Sequence, residues 1–269
     1  MRGHRLLATA GLVLAAVAAR AGDDARLRAV DPGELTYTYA VGGFVPEYTP
    51  PAPGSYTLPP IATVTDHALL DADGRPTTLF ALTRGRLAVV AFVYTTCIEA
   101  TGCPLSLGVL HRLDRAIAAD AQLARRVTLV TISFDPERDT PARMAVIRSF
   151  HAPASDWRFA TTRSETELAP LLADFDQPVA KLRFADGAWS GLFRHVLKVF
   201  LLDGRSQVRN VYSVGLLDAT LVLTDLRTLL LESAAHRRKG LTRPREQGVF
   251  FRRQLSDERV LEHMRVYLP

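Results

Sequence analysis

Residues 87–104 read LAVVAFVYTTCIEATGCP, an unbroken apolar run that leads into two cysteines and a proline. Leu87 to Thr95 is continuously apolar and rich in β-branched residues, the pattern of a strand buried on both faces. Pro104 suits the first turn of a helix, where its missing amide costs nothing, and Leu107, Leu110, Leu113 and Ile117 then recur at helical spacing. Val127 to Phe134 (VTLVTISF) reads as a second buried strand. Thr140-Pro141 reads as an N-cap followed by a first-turn proline, which starts a helix through about Phe150. Strand, loop, helix and strand in this order predict an α/β domain whose sheet is covered on both sides.

The same reading extends outward. Ser164 with Glu167 three residues on has the form of a capping box and predicts a helix to about Phe175. Val196 to Leu202 and Gln207 to Tyr212 read as strands around the turn Asp203-Gly204, and Asp218 caps a last helix reaching about Ala235. Upstream, Asp73-Gly74 separates two short apolar runs, a hairpin signal. The expected order is β-α-β-α, a further helix, then β-β-α: a thioredoxin-like central sheet flanked by helices, over residues 61–235.

The ends differ in character. Arg2, His4 and Arg5 precede the apolar stretch Leu6 to Ala19, and Ala19-Arg20-Ala21 offers a small-x-small exit. This is the layout of a secretory signal peptide over residues 1–21, and the apolar stretch is short of the roughly 20 residues that span a bilayer. An uncleaved anchor is the alternative; no cysteine stands near the exit for lipid attachment. Either way the folded part is expected outside the cytoplasm, in the periplasm or facing it, where disulfides can form. Residues 22–60 contain Pro50-Pro51, Pro53-Gly54 and Pro59-Pro60 and predict an extended arm or linker. Residues 236–269 form a basic extension with His236-Arg237-Arg238-Lys239, Arg243, Arg245 and Arg252-Arg253. Its plain reading is a solvated tail; its sharper reading is a contact with an anionic membrane surface. The net charge of +5 suits such a surface, and no basic and aromatic stripe or known motif points to nucleic acid.

A domain of this length builds a core without disulfide staples, which frees its cysteines for chemistry. There are two, Cys97 and Cys103, and both lie in the loop between the first buried strand and its helix. Ligands of open α/β sheets bind at the carboxyl ends of strands. A helix N-terminus favours thiolate over thiol, and the thiolate is both the nucleophile and the metal ligand. A plain disulfide bracing the loop is the alternative, although closing so short a segment removes little unfolded-chain entropy.

The segment Ile132-Ser133-Phe134-Asp135-Pro136-Glu137-Arg138-Asp139-Thr140-Pro141 closely resembles the ISxDPxxDTP stretch of Sco/SenC proteins, and Phe193-Arg194-His195 stands where that family carries a histidine. The resemblance covers about residues 61–235 and implies that Cys97, Cys103 and His195 hold one copper ion, as Cu(I) or Cu(II). It further implies delivery of that ion to a membrane-bound copper enzyme, typically a cytochrome oxidase. The loop departs from the family's CxxxC: CxxxxxC is two residues longer. Asp135 is expected either to support the site, by tuning it or orienting His195, or simply to form a turn before Pro136. His67, His111 and His151 are weaker ligand candidates, and His111 is expected to face outward from its helix.

A second function from the same residues is thiol–disulfide exchange with client cysteines, using Cys97 and Cys103 as the redox pair without metal. Other classes fit poorly. Peroxiredoxins need PxxxTxxC, whereas Val90 and Tyr94 occupy the Pro and Thr positions before Cys97. No HExxH is present for zinc catalysis.

Overall fold

A computed structural model describes residues 50–241. The signal segment, most of the proline-rich arm and the tail beyond residue 241 lie outside them. An eight-stranded sheet runs through the molecule in the order β1 (Ala62–Thr63), β10 (Gln207–Tyr212), β9 (Val199–Leu202), β4 (Leu87–Val93), β5 (Val127–Ser133), β6 (Trp157–Thr161), β2 (Ala68–Asp71) and β3 (Pro76–Thr78). β4, β5 and β6 are parallel, and β9 is antiparallel to β4.

All seven residues of β4 and all seven of β5 are buried. Their side chains alternate between two cores because successive residues of a strand point to opposite faces. Leu87, Val89 and Ala91 join one core with Val109, Leu110, Leu113 and Ile117 of helix α2 (Cys103–Ala119) and with Leu226 of helix α6 (Ala219–Leu241). Ala88, Val90 and Phe92 join the other with Leu79 of the short helix α1 (Leu79–Thr83) and Leu168 and Leu171 of helix α5 (Glu165–Asp174). The unbroken apolar run is thus the signature of a strand covered twice. Each buried valine, leucine or isoleucine among them contributes about 1.5–3 kcal/mol.

The local signals act as capping chemistry predicts. Thr140 caps helix α4 (Pro141–His151), its hydroxyl accepting from the Arg143 amide. Ser164 accepts from the Glu167 amide at 3.2 Å, while the Glu167 carboxylate reaches back to the Arg163 amide, one residue earlier than in a reciprocal box. Asp120 caps helix α3 (Ala121–Arg126), and Asp218 accepts from the Thr220 and Leu221 amides at the start of α6. Residues 50–60 lie against the β10 and α6 side. The Gly54 amide donates to Thr228 Oγ1 at 3.0 Å, the Tyr56 hydroxyl donates to Asp225, and the Leu58 carbonyl accepts from Arg209 at 2.5 Å.

Several elements depart from the expected order. β6 is a third parallel strand whose exposed Arg158 breaks the apolar run that marks β4 and β5. The short α3 intervenes before β5. The strand expected from Val196 to Leu202 is Val199–Leu202 alone, because Val196 is solvent-exposed and the chain before it belongs elsewhere. That chain forms an antiparallel ribbon, β7 (Val179–Arg183) with β8 (Trp189–His195), turning at residues 184–188 and hydrogen-bonded to no strand of the main sheet.

Candidate metal centre

The register of β4 on β5 brings their carboxyl ends out together. Val93 lies beside Ser133, and the Phe134 amide donates to the Val93 carbonyl at 2.9 Å. β9 enters the sheet at the same edge, since Val199 pairs with Ala91. His195, four residues before Val199, therefore reaches the end of the sheet where the cysteine loop leaves it.

Two small turns shape that loop. The Cys97 amide donates to the Tyr94 carbonyl at 3.2 Å, and the Gly102 amide donates to the Glu99 carbonyl at 2.9 Å. Residues 99–102 are thus a self-contained turn between the two sulfurs. Gly102 has φ −97° and ψ −125°, and a Cβ there would stand 3.2 Å from the Glu99 carbonyl oxygen and 3.3 Å from Cys97 Sγ. A side chain there would press on both atoms, and the sulfur would have to give by a few tenths of an ångström. Cys103 then opens α2, with Pro104 in its first turn.

The donor atoms of Cys97, Cys103 and His195 all lie within 4.8 Å of one another. Cys103 Sγ and His195 Nε2 are 3.9 Å apart. Metal–ligand bonds of roughly 2.0–2.3 Å spread at trigonal angles give about 3.8 Å between such donors. His195 Nδ1 faces the Phe193 carbonyl at 3.3 Å. A carbonyl only accepts, so Nδ1 donates to it, and Nε2 is left facing the sulfurs, as an N–H toward a thiolate or as the donor atom toward a metal. Tyr94 and Phe134 wall the imidazole, with ring centroids 5.5 and 5.3 Å from it, and Phe193 packs on both.

The two sulfurs differ in environment. Cys97 is half-buried and Cys103 is buried. The Cys103 thiol hydrogen-bonds to Cys97 and, opposed by burial but joined by His195 and by the Cys103 and Glu99 backbone, lowers the Cys97 pKa to about 3. Cys103 is pushed far up by that same bond, by burial and by the charge on Cys97. His195 is raised, chiefly by its hydrogen bond to Cys97. Burial and then Cys97 lift Tyr94 to about 12, which keeps its phenol neutral and able to donate to the thiolate. Sequence reasoning missed Tyr94; its one signal was an aromatic at the end of a buried strand, three residues before a cysteine.

A measurable consequence follows from the sign of the Cys97 shift. Iodoacetamide labelling of Cys97 in the reduced, metal-free chain is expected to keep most of its rate down to about pH 5, because the sulfur is already thiolate. An ordinary cysteine with pKa near 8.5 loses about tenfold per pH unit below that value. Labelling quantified by mass spectrometry across the pH range checks this, and an ordinary thiol profile at Cys97 refutes it.

The remaining expected residues lie apart from these donors. Asp135 is 1% exposed; its carboxylate accepts from Arg138 Nε at 2.5 Å, and its carbonyl closes the turn into α4 by accepting from the Arg138 and Asp139 amides. Burial raises its pKa, against the Arg138 bond. Its hydrogen bonds and ion pair among the described residues run to its own segment rather than to His195. His67 pairs with Asp174 at 2.8 Å. His111 is half-buried rather than outward-facing, with its ring 5.7 Å from that of His151 and with Trp157 against His151. Packing of α4 against β6 closes over that face of α2.

The sequence model of the SCO1/SenC family matches residues 57–231. No curated protein matches the chain. Among solved structures, the chain is similar to apo Sco1 from Thermus thermophilus, at 24% identity and TM-score 0.53 over 65% of this chain and 95% of that one. It is similar to BsSco, described as a member of the Sco family of cytochrome c oxidase assembly proteins with a disulfide switch, at 20% identity and TM-score 0.50 over 64% and 96%. It is also similar to copper-bound ScoI of Bradyrhizobium japonicum, at 24% identity and TM-score 0.48 over 61% and 99%. With the matched stretch holding both cysteines and His195, the chain belongs to the SCO1/SenC family.

Proposed function

We propose that this chain is an exported carrier that holds one copper ion on Cys97, Cys103 and His195 and passes it to a membrane-bound copper enzyme such as a cytochrome oxidase. The observation that carries this reading is the convergence of two sulfurs and an imidazole nitrogen within 4.8 Å. Copper is the cargo. Thiolates suit soft Cu(I), and an imidazole widens the range to Cu(II). Three protein donors, two of them on half-exposed residues, leave a side of the ion open to an incoming ligand from the recipient. Membership of the family supports the same reading.

Export through residues 1–21 and a contact of the basic tail with anionic lipid belong to this proposal. Among the described residues, no helix is long and apolar enough to cross a membrane. Thiol–disulfide exchange uses the same sulfurs and needs His195 only as a lesser aid to the Cys97 thiolate, the Cys103 bond being the larger one, whereas copper loses a ligand with it, so His195→Ala separates the two readings.

The test titrates the reduced full chain with Cu(I) against a chromophoric chelator, for wild type and His195→Ala. The loaded chain is then mixed with the metal-free copper domain of an oxidase. One ion per chain, weaker binding by His195→Ala and appearance of copper in the recipient are expected. Absence of stoichiometric binding by the wild type, with reductase activity intact in His195→Ala, overturns the proposal in favour of exchange chemistry.

A further inference from the structure

His195 ends a ribbon that pairs with no strand of the main sheet. A free two-stranded ribbon is at best marginally stable in water. Pairing of β9 brings the following chain to this end of the sheet, but no pairing with the sheet holds the ribbon itself, so side chains must complete the placement of its imidazole.

Two adjacent residues of the Asp135–Pro141 segment grip the ribbon, one on each strand. Arg138 Nη2 donates to the Gly191 carbonyl of β8 at 2.8 Å, and its guanidinium centre lies 4.1 Å from the Trp189 ring centroid. Its Nε donates to Asp135, whose own amide bonds Ser133 Oγ at 3.0 Å at the end of β5. Glu137 holds Lys181 of β7 at 3.1 Å, and the Lys181 ammonium lies 4.5 Å from the same Trp189 ring. Gly191 has φ +84°, and a Cβ there would come within 3.4 Å of Arg138 Nη1. A glycine thus serves both the backbone and the approach of the guanidinium.

We infer that Arg138 is a positioning residue for His195: by tying Asp135 at the end of β5 to Gly191 and Trp189 of β8, it sets the imidazole beside the two sulfurs. This rests on the reading of His195 as a copper ligand. From Gly191 to His195 the strand runs about 13 Å, with Phe193 seated between on Phe134 and Tyr94. An anchor at one end and an aromatic seat in the middle leave the imidazole little freedom. Lysine is a poor substitute, since one point charge does not supply a planar fork that bonds a carboxylate and a carbonyl while stacking on an indole.

The test uses the full chain as Arg138→Met, Arg138→Lys and the double variant Asp135→Asn/Arg138→Met, which leaves no unpaired buried carboxylate should Arg138→Met fold poorly. In the metal-free protein, amide exchange in residues 179–195 is expected to quicken by about tenfold or more in Arg138→Met and the double variant, through loss of a charged hydrogen bond and a cation–π contact. Amides of β4 and β5 stay protected, His195 imidazole nitrogen shifts move, and Arg138→Lys falls between. With Cu(II) added, nitrogen hyperfine splitting from His195 weakens while Cu(I) bound through the thiolates persists. Unchanged ribbon exchange and unchanged imidazole signals in both Met variants overturn the positioning role. These metal-free measurements decide it separately from the copper reading, which fails instead if the wild type takes up no copper.

Discussion

Serine in place of Cys103 is expected to weaken Cu(I) binding by about two to three orders of magnitude while leaving the fold in place. A structural four-ligand metal site is worth about 10–16 kcal/mol, so one strong ligand accounts for roughly 3–4 kcal/mol, or about that loss of affinity. The hydroxyl of serine is a hard donor that stays protonated, and a soft ion gains little from it. The fold survives because serine is smaller than cysteine and its oxygen can accept the Tyr94 amide that now points at Cys103 Sγ from 3.5 Å. The same variant carries a second signature. Cys97 owes its depressed pKa first to the Cys103 thiol, so its labelling at low pH is expected to slow as its pKa climbs back. Chelator competition, circular dichroism and labelling on one preparation check all three outcomes. Wild-type copper affinity in Cys103→Ser would mean that the ion sits elsewhere.

The second large effect is expected at Asp139, away from the metal. Its side chain is fully buried, and its carboxylate accepts from the Thr95 amide at 2.9 Å, the Thr95 hydroxyl at 2.5 Å and the Ser133 hydroxyl at 2.6 Å. One carboxylate thus ties the end of β4, two residues before Cys97, to the end of β5. Alanine leaves three donors without this acceptor, the buried Ser133 hydroxyl and, on half-buried Thr95, a hydroxyl and a backbone amide that cannot turn away. Hydrogen bonds to a charged group are worth about 1.5–3 kcal/mol each, partly recovered when hydroxyls rotate, so a loss of about 3–4 kcal/mol is expected. For a domain of this size that lowers Tm by about 6–16 °C. Asparagine keeps the shape and one accepting oxygen and is expected to lose about half as much. Thermal unfolding followed by circular dichroism measures both, and a shift of under about 2 °C for Asp139→Ala would show that this knot contributes little.

Much of the fold was legible locally. β4 and β5 announced themselves because burial on both faces demands an apolar residue at every position. The starts of α4, α5 and α6 were legible because Thr140, Ser164 and Asp218 cap amides only two or three residues away. β6 and the β7–β8 ribbon were hidden for the opposite reason. Each shows solvent an exposed face, so Arg158, Arg183 and Arg194 interrupt any continuous apolar pattern. The family resemblance pointed to Cys97, Cys103 and His195 together, and their donor atoms do converge. Tyr94, Gly102 and Arg138 were not singled out, since their contacts at the site depend on how the loop, the strand ends and the ribbon come together in the fold.

By itself the sequence determined which segments are doubly buried strands, where helices start and that two cysteines flank a helix N-terminus. Those properties depend on neighbours within a few residues. Tertiary structure alone decided that a histidine 92 residues beyond Cys103 lies 3.9 Å from its sulfur. It also left one cysteine half-buried with a lowered pKa and the other buried with a raised one, and it set Arg138 across Asp135 and Gly191. Distance and desolvation between remote segments follow from strand register and packing, which no local pattern encodes.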